Sequence, residues 1–402
     1  MRLLLLFFSL VLLLLAQPKR RPLVVVSVDG LDQRYLRDAD KVGLKIPTIR
    51  KLMREGETSA GVVGVVPTVT WPSHTTLVTG VRPAEHGILG NRRPRGETGD
   101  YYWFANMIKV PTLWQATRQA GLKSATITWP VTVGADVDFN LPEYFRGRDG
   151  GSMDYVSIYE RATPGLVEKI EAFDSSFNQT WVDDRTRTLA TVYLLKQERP
   201  DLILLHLVDL DSESHIYGPY TKEAYACLEK TDAYIAEILA AAPKDYVISL
   251  TSDHGFERVD REINSTGFGV KLGGSLKFRV FGGLLFPETP ETRERVLQSG
   301  ILGREVPREE IAKFAPEQLG PNFLGAFEPK RNEGFAYGAL ANTELYLPPH
   351  EKGNHGFWPG LPDYRSVFVL WGPGIRPAKK PEMRMEEIAP RYAEILAVKL
   401  GR

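Results

Sequence analysis

The chain has 402 residues, 50 Lys+Arg balanced by 50 Asp+Glu, 43% hydrophobic content and 36 glycines. That is ordinary globular composition with ample length for a large core. It carries none of the basic excess that nucleic-acid or membrane-surface partners usually leave, and its single cysteine, Cys227, cannot form an internal disulfide.

In chain order, the first element is a short apolar tract. Met1 and Arg2 form a minimal positive region, residues 3–15 are apolar, and Ala16-Gln17 offers a cleavage junction. The tract is too short for a comfortable membrane span, so residues 1–16 read as a signal peptide and the protein as periplasmic or secreted. Pro18, Lys19, Arg20 and Arg21 follow at once. Basic residues there oppose export, so an uncleaved N-terminal anchor is the alternative. No other segment reads as transmembrane.

Residues 23–28 form a β-branched run that ends in Asp29, within VVVSVDG. The segment PTVTWPSH reads as a helix start, with Thr70 at the cap and Pro72 in the first turn. A helix N-terminus there would favour an alkoxide and attract a phosphoryl group, whereas the plain reading of Thr70 is a capping residue. Residues 96–111 turn from polar to aromatic and suggest a loop over a site. The run 202–208 leads into Asp209 and Asp211, and His215 completes a D-x-x-x-H in DLDSESHIYGP. Residues 222–242 have the clearest helical spacing, with Cys227 as a buried structural thiol. The run 247–250 leads into Asp253 and His254 of SLTSDHG. Residues 257–350 are rich in glycine, proline and charge, with helical pieces near 289–298 and 308–314; they read as an inserted cap subdomain. His355 follows in KGNHGF, and the run 367–371 precedes GPG.

Continuous apolar runs of this length predict strands buried on both faces. The fold class is therefore α/β, a large, mostly parallel central sheet sandwiched by helices. The motif residues run from 29 to 355 and must converge, which makes residues 17–402 one catalytic domain. Ligands at the carboxyl ends of strands match the rule for where open α/β sheets bind.

Asp29, Asp211, His215, Asp253, His254 and His355 form a cysteine-free set of ligands that suits two divalent metals held by imidazole and carboxylate. Each has an ordinary reading alone: Asp253-His254 as a cap, Asp211 and His215 on a solvated helix face, His355 as a satisfied turn histidine. Their joint occurrence at strand ends favours the site. Thr70 supplies the hydroxyl such a site would use, since threonine needs a base or a metal to become a nucleophile.

With these motifs assembled, the chain resembles the alkaline phosphatase superfamily, and within it the nucleotide pyrophosphatase/phosphodiesterase family. VVVSVDG, PTVTWPSHTTLVTGVRPAEHGILGN, DLDSESHIYGP, TSDHG, NHGF and VFVLWGPGI carry the resemblance, the second being the most specific. It implies an alkaline phosphatase-like fold and two zinc ions, one held by Asp211, His215 and His355, the other by Asp29, Asp253 and His254. Thr70 is then the metal-bound nucleophile, passing through a phospho-threonine intermediate, and Asn91 hydrogen-bonds a phosphate oxygen. Trp71 stands where the family usually has a phenylalanine that stacks on a base. His206 stands where a tyrosine often forms the second stacking face, and a strand-end histidine packed near the site is the simpler reading. Ser73 replaces a frequent asparagine. His74 and His86 lie in family-like motifs without a ligand role. The implied substrate is a small-molecule phosphate ester or nucleotide.

Four charges from zinc, three aspartates and one alkoxide leave the site near neutral, which admits a phosphodiester with its single charge. A phosphomonoester would want the extra positive charge that Arg92 and Arg93 could bring. The rival enzyme readings are an alkaline phosphatase-like phosphomonoesterase and a phosphonate hydrolase. A sulfatase is disfavoured by the threonine at position 70, and a mutase fits poorly with export. The non-enzymatic rival is a pseudoenzyme that binds phosphorylated ligands. The oligomeric state is not legible.

Overall fold

The computed structural model describes residues 20–93, 101–144, 158–177, 182–336 and 341–401. The expected signal peptide lies outside the described residues, as does the start of the loop expected over residues 96–111.

Eight strands form the central sheet: β1 (Leu23–Val28), β2 (Glu57–Ser59), β3 (Ser124–Ile127), β4 (Phe139–Leu141), β5 (Leu202–Leu207), β6 (Val247–Thr251), β7 (Phe368–Trp371) and β8 (Ala378–Lys380). Their spatial order is β8-β2-β7-β6-β1-β5-β3-β4. Only β7 runs against its neighbours β6 and β2; the remaining pairings are parallel. The run before GPG is thus the one reversed strand in an otherwise parallel sheet.

The alternation of β1 explains the layers. Val24, Val26 and Val28 enter one core with Leu189, Leu228 and Ile235, while Leu23 and Val25 enter another with Leu77, Ile388 and Tyr392. Every residue of β1 is buried, as a strand covered on both faces requires. Helices α1 (Thr70–Thr79) and α5 (Ile388–Leu396) cover the second face; α2 (Asp184–Tyr193), α3 (Asp209–Tyr217) and α4 (Lys222–Ala241) extend along the first.

In-register pairing places the motif residues together. Ser27 of β1 sits opposite His206 on one side and Thr251 on the other, so the chain leaves all three strands at the same level of the sheet. Asp29, Asp209 with Asp211, and Asp253 follow those strand ends directly.

Between β6 and β7 the chain builds a separate layer. It holds a three-stranded sheet of Glu333–Phe335, Arg261–Ile263 and Tyr346–Leu347, and a hairpin of Phe278–Phe281 with Leu284–Pro287. Ile263, Phe268, Leu285, Val296, Leu302 and Phe327 give this layer a core of its own, whereas Phe286 and Ile311 share one with Val66 and Trp358. The helices expected near 289–298 and 308–314 occur as Pro290–Ser299 and Arg308–Phe314. Among the described residues no helix is long and apolar enough to cross a membrane.

Candidate metal centre and active site

The six expected ligands meet above the carboxyl ends of β1, β5 and β6. Two overlapping groups have ligand atoms within 4.8 Å of one another: Asp211, His215 and His355, and Asp29, Asp211 and His254. The first matches the expected set. The second contains Asp211 where Asp253 was expected; Asp253 nevertheless closes on the same point, its Oδ2 3.1 Å from His254 Nε2.

The histidines share one orientation. His215 Nδ1 lies 3.0 Å from Gly353 O, His254 Nδ1 3.2 Å from Gly255 O and His355 Nδ1 3.4 Å from Thr68 O. With each Nδ1–H donating to a carbonyl, each Nε2 presents a lone pair, the tautomer a metal ligand needs. Those Nε2 atoms face carboxylate oxygens: His215 and His355 face Asp211 at 3.4 and 3.7 Å, and His254 faces Asp29 at 3.2 Å. Such a pairing needs a cation between the two atoms, either a proton or a metal ion in its place.

Orphaned polar atoms mark the same place. Asp29 Oδ1, Asp211 Oδ1, Asp253 Oδ2 and His254 Nε2 are buried without a hydrogen-bond partner. Buried carboxylates cost too much to leave unpaired, and the ion-pair contacts of these three are all histidines. The electrostatics carry the same strain. Burial, with Asp211 and Asp253 nearby, holds the Asp29 carboxyl well above its usual range. Burial opposes protonation of His254, yet Asp253 and Asp29 carry it up to about 9. Burial opposes that of His215 too, and Asp211 with Glu351 carries it up to about 11. The donor set, three imidazoles and three carboxylates with open atoms converging on one space, fits divalent cations such as zinc.

Thr70 begins α1 beside this cluster, with Val69 as the capping residue rather than the expected Thr70. Thr70 therefore belongs to the first turn, whose N–H groups no helical carbonyl satisfies. His74 fixes that turn: Nδ1 contacts Thr70 O at 2.9 Å and Nε2 contacts Ser27 Oγ, also at 2.9 Å. Asn91 Oδ1 accepts the Trp71 N–H at 3.0 Å, which leaves the amide nitrogen as the group to donate onward.

His206 and Trp71 have surroundings unlike those a base-stacking role requires. His206 is fully buried, with Nε2 2.8 Å from Asp29 Oδ2 and Nδ1 3.0 Å from Thr128 O and 3.2 Å from Glu143 Oε2. Both nitrogens are used inside the protein and no ring face is open, as the simpler reading anticipated. Trp71 is 4% exposed and packs against Tyr101 and Trp103, with ring centroids at 4.8 and 5.8 Å. A base could stack on Trp71 only by displacing Tyr101, because the aromatic segment after residue 100 occupies that position. The Arg92 guanidinium lies over Tyr101, 4.8 Å from the ring centroid. Ser73 and His86 are buried, and His86 Nδ1 accepts the Ile88 N–H at 3.1 Å.

Several supporting residues carried no sequence signal. Glu143 and Glu351 are lone carboxylates in loops. Arg34 reaches Asp32 Oδ2, Glu257 Oε1 and Phe256 O at 2.8, 2.8 and 2.6 Å, so it ties the loop after β1 to the loop after β6.

A mostly parallel sheet with acid and imidazole ligands at its carboxyl edge and a hydroxyl at a helix start defines a metallohydrolase-type site of the alkaline phosphatase-like class. The sequence model of the type I phosphodiesterase / nucleotide pyrophosphatase family matches residues 23–274. The chain belongs to that family. Human ectonucleotide pyrophosphatase/phosphodiesterase family member 1 is 26% identical over 382 residues, covering 88% of this chain and 37% of the human protein. The venom phosphodiesterase of Macrovipera lebetinus is 26% identical over 389 residues, covering 89% and 41%. The chain thus spans about two fifths of the length of these relatives. The structure of human ectonucleotide pyrophosphatase/phosphodiesterase 5 superposes with a TM-score of 0.64 at 19% identity, covering 95% of this chain and 96% of that one. The murine counterpart, an inactive variant in complex with AMP, gives 0.63 at 17%. These likenesses show the fold.

Proposed function

We propose that the protein hydrolyses phosphodiester or pyrophosphate bonds with two bound zinc ions and Thr70 as nucleophile. The observation that carries this reading is the convergence of orphaned Asp29, Asp211, Asp253 and His254 atoms beside the first turn of α1, where His74 Nδ1 lies 2.9 Å from Thr70 O and 3.6 Å from Asp253 Oδ2. Asp211, His215 and His355 would hold one ion; Asp29, Asp253 and His254 would hold the other. Bound there, the pair supplies Lewis acidity that lowers the pKa of the attacking hydroxyl and stabilises the departing oxygen.

The remaining work falls to the chain. Thr70 Oγ attacks phosphorus, the bond to the leaving oxygen breaks, and a phospho-threonine forms. Water then cleaves it and restores the hydroxyl. The Asn91 amide donates to a non-bridging oxygen, and the N–H groups of the first turn of α1 favour the same charge. His74 holds the Thr70 backbone against β1 throughout.

The names of the relatives support this chemistry, and nucleotides are the substrate class they suggest. Ectoenzymes and venom enzymes among them support export, and the layer between β6 and β7 is then the cap of a single catalytic domain. Thr70→Ala in the zinc-loaded enzyme is expected to lower turnover of bis(4-nitrophenyl) phosphate by about a thousandfold or more while zinc content stays unchanged. Full activity in that variant would overturn the reading.

A further inference from the structure

A cavity of about 360 Å³ opens beside the candidate centre, between Val69 and His355 on one side and the hairpin of the β6–β7 layer on the other. Val69 immediately precedes Thr70, and His355 is one of the six clustered ligands. A group attached to the reacting phosphorus would therefore reach the cavity.

Its walls are mostly apolar, with Leu89, Val280, Phe281, Phe335 and Phe357 among the residues that line it. Its polar members are engaged. Glu262 accepts the His350 N–H at 3.2 Å, and the Asn354 side chain accepts the His355 N–H at 2.8 Å. Among the described residues no lysine or arginine lines it, so a pyrophosphate group placed there would meet a carboxylate and no cation. Leu89 and Val280 are 45% and 38% exposed, which puts them at the rim.

The hairpin is built to come this close. Gly282 and Gly283 turn it with φ of +56° and +75°. A Cβ on Gly283 would stand 2.9 Å from Gly356 O, and one on Gly282 would strike Val66. Glycine at 283 lets the turn seat on the segment that carries His355, and glycine at 282 lets it seat on Val66.

We propose that this cavity binds an uncharged apolar ester arm of a phosphodiester, in preference to a polyphosphate leaving group. The proposal rests on the phosphodiesterase reading above and names the substrate class of that site.

The test uses the zinc-loaded full chain. Binding of hexylphosphonic and methylphosphonic acid is measured by calorimetry, alongside turnover of hexyl and methyl 4-nitrophenyl phosphate. Each methylene fully buried is worth roughly a factor of four. Five extra methylenes, even partly buried, should make the hexyl ligand bind at least about tenfold tighter. Val280→Asn, on the hairpin, should abolish most of that preference without adding charge and leave methylphosphonic acid binding within about twofold. Leu89→Asn, on a different segment of the rim, is the independent variant and should do the same. Equal binding of the two phosphonates by the wild type, or a hexyl preference that survives both variants, overturns the proposal. Hydrolysis of both diesters without a hexyl preference removes the pocket and keeps the phosphodiesterase reading. A hexyl preference without turnover supports the pocket and removes that reading.

Discussion

Asp29 is held from two directions. One oxygen faces His254 Nε2 and the other takes His206 Nε2 at 2.8 Å, while His206 is itself fixed by Glu143 and Thr128. A carboxylate fixed on one oxygen offers the other at a defined angle, and such outer partners typically change metal affinity by 10–100-fold. His206→Leu, which fills similar space but offers no donor to Asp29, is therefore expected to weaken zinc binding by about tenfold or more. Competition with a chelator measures it. Unchanged affinity would mean that His206 only fills space. The sequence places this histidine beside the site, since it sits at the end of a strand run. It cannot show that the ring lies on Asp29 rather than on a ligand, because that depends on the parallel register of β1 against β5. Trp71 taught the same lesson: its neighbour in space is Tyr101, thirty positions later in the chain.

At the scale of elements, the loops after β1 and β6 carry three of the ligands, and Arg34 clamps them together. Its guanidinium pairs with buried Asp32 and Glu257 and donates to Phe256 O. Burial works against the charge on Arg34, but Asp32 and Glu257 keep it fully protonated. Arg34→Met would leave buried Asp32 with backbone N–H donors but no cation, and Glu257 with only Arg331 at 3.6 Å, a loss of up to about 3–5 kcal/mol by analogy with other broken buried pairs. Urea unfolding of the metal-free protein isolates this term from metal binding. A loss below about 1 kcal/mol would show that the loops relax without the clamp. Elements themselves were well marked in the sequence. The expected helix at 222–242 forms as Lys222–Ala241, and apolar runs before Asp29, Asp209 and Asp253 form β1, β5 and β6. What the runs could not reveal was direction: β7 looks like its neighbours in composition, yet it is the reversed strand. Strand direction is set by connections, here the long layer between β6 and β7, and not by local propensity.

The whole molecule combines a sheet whose register gathers ligands from three strands with a layer that closes over one side of them. The candidate ligand set is legible in the sequence because metal chemistry restricts residue types so tightly: few side chains other than Asp and His suit a cysteine-free divalent site. The pocket was not legible, because it is made by apolar residues at positions 89, 280, 281, 335 and 357 whose only common property is where the fold brings them. The proposed reaction turns on a covalent phosphoryl intermediate at Thr70. Two successive in-line displacements restore the configuration at phosphorus, whereas a single attack by water inverts it. The decisive measurement is the stereochemical course of hydrolysis of a chiral phosphorothioate diester in oxygen-18 water. Net retention is the predicted result, and net inversion would contradict the account.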